Sequence, residues 1–190
     1  MLTLLLDSKL YLVPLDVTKC RKVLDVGCGT GIWAMDFADS HPNSEVIGVD
    51  LSPIQPAWTP PNCSFLIDDV EEEWVYPSGP FDFIHIRCMM GSVKDWPRMY
   101  GQAFKNLAPG GWIQHLDMSI EFRSDDDTVP ADHIMARWSK TFVDCGENLG
   151  KTFKITERAA PLMREAGFED VQEHWFKLPV GGWAKGKVSG

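Results

Sequence analysis

The residue types best suited to chemistry fall in the run Val23-Leu24-Asp25-Val26-Gly27-Cys28-Gly29-Thr30-Gly31-Ile32. A β-rich stretch here delivers a glycine-rich turn to a helix start, which sets bare backbone N–H groups beside any ligand bound there. A second stretch, Glu45 to Asp50, ends in a carboxylate 19 residues after Gly31, where one acid can take both hydroxyls of a ribose. Together the two fit a nucleoside binder of any kind.

Two residues narrow that choice. The dinucleotide fingerprint needs Gly or Ala at position 32 for close helix–strand packing, and Ile32 fails it. Asp25 puts a carboxylate where a pyrophosphate otherwise sits, which is electrostatically wrong for NAD. It suits a ligand carrying an ammonium and a sulfonium, as S-adenosylmethionine does. A third group of candidates follows in His85-Ile86-Arg87-Cys88-Met89-Met90. His85 and Arg87 alternate onto one face at the carboxyl end of a strand, the ligand side of a parallel sheet. Arg87 there can meet the methionine carboxylate or a substrate anion. Transfer of a group from such a ligand needs alignment and, for some acceptors, a base. The base candidates are His85, His115 and Asp117, with His133 at the next helix. A buried structural histidine is the competing reading of His85 and His115, so no catalytic residue is named. No histidine or cysteine spacing marks a metal site.

The elements that must position these residues read as alternating strands and helices. Strands are expected at Lys22–Val26, Glu45–Asp50, 64–67, 81–86, 112–118 and 171–178. A helix follows the glycine turn up to His41-Pro42, and a second starts after Asp95, with Pro97 in its first turn and Gly110-Gly111 as its stop. A third places Ile134, Trp138, Phe142 and Cys145 on one core stripe, and a fourth covers roughly 157–166, ended by Gly167. Residues 4–13 read as the end of an amphipathic helix or a short apolar segment, closed by Pro14. This alternation argues for a parallel, helix-covered α/β sheet.

Composition agrees with one globular domain. The 190 residues are 44% hydrophobic and 24% charged, with net charge −9, which excludes a disordered chain and disfavours a nucleic-acid groove. Five scattered cysteines form no C-x-x-C pair, and no segment is long enough to span a membrane. The expected setting is cytoplasmic or nuclear. Acidic runs at 68–73 and 125–127 read as solvated loops, with attraction of a basic partner as the sharper alternative. Eight Trp are divided between core and an aromatic-walled pocket, the latter from Trp58, Trp74, Trp96 and Trp183.

The strings D-V-G-C-G-T-G, V-D-L-S-P-I-Q-P and A-P-G-G-W resemble class I S-adenosylmethionine-dependent methyltransferases. More narrowly, G-T-G-I-W-A, F-D-F-I-H-I-R, K-D-W-P and P-G-G-W-I are similar to the fungal LaeA-like regulators of secondary metabolism, over roughly residues 4–184. The resemblance implies a Rossmann-like sheet with helices on both faces. It implies S-adenosylmethionine as cofactor and a small metabolite or a protein as methyl acceptor. The alternative is a regulatory subunit that binds velvet-type partners with little turnover. By the same resemblance, Asp25, Gly27, Cys28 and Gly29 line the methionine end, Gly31 also binds the cofactor, Asp50 holds the ribose and Leu51 flanks the adenine. Asp69, or its neighbour Asp68, takes the adenine amino group, with Val70 beside it. N-P-P-Y is absent after the fourth strand, which disfavours base methylation. The family fold ends with a reversed strand for which no run remains after Leu178. The expectation is therefore a single domain, core 20–180, shortened at both ends.

Overall fold

The computed structural model describes residues 5–76, 79–125, 129–130 and 132–180. Five strands, β1 (Lys22–Val26), β2 (Glu45–Asp50), β3 (Cys63–Ile67), β4 (Phe81–Arg87) and β5 (Leu107–Leu116), form one sheet in the order β3-β2-β1-β4-β5. All four pairings are parallel. β1 is buried from Val23 to Val26, and β4 from Phe83 to Ile86, because helices cover both faces. Edge strand β3 buries only Cys63 fully. The strand order reverses between β1 and β4, which opens a crevice at their carboxyl ends.

Helix α1 (Ile32–Ser40) covers one face and α2 (Trp96–Asn106) the other, with α4 (Ile155–Ala166) packed on α2. Under α1 lie Val23, Trp33, Phe37, Val46 and Phe83. Under α2 and α4 lie Leu24, Ile84, Ile86, Trp96, Tyr100 and Met163. Asp95 starts α2 by accepting the Arg98 N–H at 2.9 Å, and Pro97 sits in the first turn. Gly167 ends α4 at φ +108°, with the Phe168 N–H returning to the Met163 carbonyl.

The structure corrects several expectations. Residues 171–178 form no strand, and 172–177 lie exposed, because no strand among the described residues offers them a ladder. Helix α3 (Ile134–Asn148) turns its expected core stripe outward: Ile134 is 65% exposed, Trp138 44%, and Cys145 is also exposed. Its buried residues are Ser139, bonded to the Ile120 carbonyl, and Gly146, packed on Phe153. A stripe is buried only where the helix meets the sheet, and α3 lies beyond it. β5 begins at Leu107 rather than 112, so the glycines fall inside the strand. Gly111 leaves room there for the Ala108 and Asp82 carbonyls at the register shift between Phe81 and Phe83.

In the described part of 4–13, Leu5 is helical, as a helix end requires, and a turn at residues 6–8 leads into an extended strap. Trp33 donates its indole N–H to the Leu10 carbonyl at 2.9 Å, and Gln114 Oε1 accepts the Leu12 N–H at 2.6 Å. Trp74 and Trp96 are buried in the α2-side core instead of walling a pocket, and Trp58 stands exposed. Trp183, Asp126 and Asp127 lie outside the described residues.

Candidate functional site

The glycine turn closes β1 at the sheet crevice. Gly27, Gly29 and Gly31 all have positive φ, but their surroundings differ. A Cβ on Gly27 would strike the Met89 thioether, and one on Gly31 would strike the Phe65 ring. A Cβ on Gly29 would meet nothing within 4 Å, so this glycine alone faces open space. Its N–H donates to Asp50 Oδ2 at 2.8 Å, while Asp50 Oδ1 accepts the Ser52 N–H at 2.9 Å. Gln55 closes the same corner, its amide donating to the carbonyls of Gly29 (2.7 Å) and Ser52 (2.9 Å). Gly31 precedes α1 without a side-chain cap, so the first N–H groups of that helix remain available.

The other expected cofactor residues gather along the same edge. Leu51 is exposed beside Asp50. The Asp68 N–H bonds the Asp50 carbonyl at 3.1 Å, which brings the Asp68–Val70 turn next to Leu51. Asp68 is exposed and accepts from the Asp69 N–H, whereas half-buried Asp69 accepts from the Glu71 N–H. Val70 is buried, and its carbonyl accepts the Trp74 indole N–H at 2.8 Å. On the far side of the crevice Arg87 ends β4, half-buried. The acids at the ends of β2 and β3 thus lie on one side of the crevice and Arg87, at the end of β4, on the other, with the Gly29 turn between them. That donor set fits an adenosyl amino acid: acids for ribose and base, cation and N–H groups for a carboxylate.

The Methyltransferase domain family matches residues 3–173. The chain belongs to that family. Methyltransferase pytC of Aspergillus terreus is 44% identical over 184 residues, covering 96% of this chain and 56% of the relative. Secondary metabolism regulator LAE1 of Cochliobolus heterostrophus is 40% identical over 164 residues, covering 85% and 53%. The chain spans about half the length of the curated relatives it matches. Among solved structures, phosphoethanolamine N-methyltransferase 2 of Haemonchus contortus, in complex with S-adenosyl-L-methionine, superposes with TM-score 0.57 at 21% identity. It covers 80% of this chain and 34% of that one. An S-adenosylmethionine-dependent methyltransferase structure from Listeria monocytogenes gives 0.59 at 19% identity, covering 82% and 80%. Both show that the fold is shared.

In this methyltransferase domain three of the four base candidates, His85, His115 and Asp117, are enclosed, and the fourth, half-buried His133, caps α3 by accepting the Met135 N–H at 3.3 Å. Asp25 is 2% exposed, and the His85 Nδ1–H donates to its Oδ1 at 2.8 Å, since a carboxylate only accepts. The His85 ring stacks on Trp33 at 3.6 Å, and its Nε2 has no partner among the described residues. Burial holds the His85 pKa below the usual imidazole range, against the opposing pull of Asp25. His115 and Asp117 share a face, as alternation requires, but it is the buried α2 face. Asp117 Oδ2 accepts the Met89 N–H (2.9 Å), the Met90 N–H (2.8 Å) and His115 Nε2–H (3.3 Å). A carboxylate so engaged is poorly placed to collect a substrate proton. Burial pushes the Cys28 thiol pKa up to about 12, aided by Asp25 and Asp50, so Cys28 is a neutral wall residue.

Gln55 and Met89 escaped the reading of the residues one by one. Gln55 stood in plain view within D-L-S-P-I-Q-P, and a side chain with two donors beside a glycine turn is a fair signal for a clamp. No sequence signal identifies Met89. Among the described residues, no group of three or more His, Cys, Asp or Glu is arranged to hold a metal, and no helix is long and apolar enough to cross a membrane.

Proposed function

We propose that residues 20–180 form one methyltransferase domain that binds S-adenosylmethionine and transfers its methyl group to a small metabolite or a protein. The bound cofactor supplies an electrophilic methyl on a sulfonium, so the chain's own work is binding and alignment. The observation that carries this reading is the corner of Gly29, Asp50 and Gln55. There an open-faced backbone is fixed against a ribose-binding carboxylate. Asp50 takes the ribose hydroxyls, Leu51 flanks the adenine, and Asp69 or Asp68 meets its amino group. Gly27, Cys28, Gly29 and Gly31 line the methionine end, and Arg87 holds its carboxylate. Asp25 acts from behind the turn, through the field of a buried carboxylate on the cofactor's positive groups. A cytoplasmic or nuclear setting fits the free thiols.

A regulatory subunit with little turnover is the second reading, favoured by the name of the LAE1 relative. Calorimetry with S-adenosylmethionine, S-adenosylhomocysteine and NAD tests the first. Both adenosyl ligands are expected to bind, and binding is expected to vanish in Asp50→Ala. Binding of NAD alone would overturn it. Labelled methyl transfer into fungal extract separates the two readings, because a regulator labels no fraction.

A further inference from the structure

The strand-end loop at 88–92 is tied down more firmly than a connection needs. The Cys88 N–H continues the β5 ladder to the Leu116 carbonyl at 3.0 Å, and the Gly91 N–H reaches the Thr152 carbonyl at 3.0 Å. Between these anchors, one oxygen of Asp117 takes two consecutive N–H groups, those of Met89 and Met90, while the other takes that of Met118 at 2.8 Å. Cys88 sits at φ +55°, a left-handed conformation that a non-glycine residue keeps only where its surroundings enforce it. The enforced path ends with the Met89 side chain lying on Gly27.

Behind Asp117 the order of protons follows from the chemistry. A carboxylate accepts, so His115 Nε2 carries the hydrogen, and the bare Nδ1 accepts the Tyr100 hydroxyl at 2.8 Å. The imidazole is packed on Trp96 with ring centroids 5.0 Å apart, and both its side chain and that of Asp117 are almost wholly buried. Burial raises the Tyr100 pKa, with Asp117 adding to it, so the phenol stays a neutral donor.

We infer that Tyr100, His115 and Asp117 form a buried chain of positioning residues that latches the Cys88–Met90 backbone and thereby seats Met89 on the cofactor turn. The loop follows Arg87 at the carboxyl end of β4 and borders the glycine turn through Met89. The inference rests on the proposed methyltransferase reading for its function, but not for its physical content.

Backbone amide exchange on the full chain tests the physical content without any ligand. Asp117→Asn replaces one acceptor with a donor. It is expected to speed exchange at Met89 and Met90 by about 10- to 100-fold, the scale of a lost charge-assisted hydrogen bond. Amides of β1 and β2 should not change. Tyr100→Phe, which leaves the carboxylate in place, should give a smaller change at the same two amides and serves if Asp117→Asn does not fold. Unchanged exchange at 89 and 90, or acceleration spread evenly through β4 and β5, overturns the latch. Methyl transfer should fall further in Asp117→Asn than S-adenosylhomocysteine affinity does, and Met89→Leu should retain binding that Met89→Ala weakens. If wild-type protein binds no adenosyl ligand while the exchange result holds, the functional reading fails and the latch stands.

Discussion

Two imidazole–carboxylate pairs occupy opposite faces of the sheet, and they are built differently. On the α1 face His85 and Asp25 are joined by one hydrogen bond, clamped by the Trp33 ring, and leave the His85 Nε2 without a partner among the described residues. On the α2 face His115 and Asp117 form a closed set, with Tyr100 at one end and three backbone N–H groups at the other. The first pair joins β1 to β4 in the middle of the core, so its loss is felt by the fold as a whole. The second joins β5 to a single loop, so its loss is felt where that loop meets the cleft. Chemically similar pairs thus carry global stability in one place and local geometry in the other.

The sharpest way to break this contrast is Asp25→Ala. It strands a buried His85 with both ring nitrogens unpaired. The expected cost is about 3–5 kcal/mol. In a chain of this length that lowers the melting temperature by roughly 6–20 °C. Thermal denaturation at neutral pH reads it directly. Asp117→Asn should cost less, about 1–3 kcal/mol in denaturant unfolding. Equal losses for the two variants would erase the distinction.

The third test uses acid. Burial lowers the His85 pKa despite Asp25, and the Arg87 charge pushes the same way. A histidine with its folded pKa below the unfolded value of 6.5 binds fewer protons when folded. Its contribution is complete above that value and is lost as pH falls below it. Melting temperature should therefore decline from pH 7 downward, and less steeply in His85→Gln, whose amide can still donate to Asp25. The smallest effect is expected for Tyr100→Phe, about 0.5–1.5 kcal/mol, with no added pH dependence. A steeper acid response in Tyr100→Phe than in His85→Gln would reverse the assignment of the two pairs.

Much of this architecture could be read from residues. β1 and β2 fall where their apolar runs and terminal acids place them, and the Asp95–Pro97 start of α2 is a local signal that local bonds satisfy. Long-range partners were harder. The 171–178 run reads as a strand but finds no ladder among the described residues, and the α3 stripe repeats like a core helix but meets no sheet. At the site, spacing located the glycine turn and Asp50. Period-two alternation paired His115 with Asp117, but it carries no information on which face is buried or that backbone amides would claim the carboxylate. Met89 on Gly27 depends on the Cys88 backbone turn, which no residue type announces.

The Phe65 ring carries a consequence for how this chain can vary. It fills the space that a Cβ would need on Gly31, in the cofactor turn, and on Gly48, in the middle of β2. Gly31 is held by its positive φ in any case, but Gly48 is glycine chiefly for the sake of Phe65, with Cys28 Sγ 3.0 Å from where its Cβ would stand. Positions 48 and 65 should therefore drift together among relatives, a larger residue at 48 appearing with a smaller one at 65. Gly48→Ala, damaging alone, should be largely repaired by Phe65→Leu.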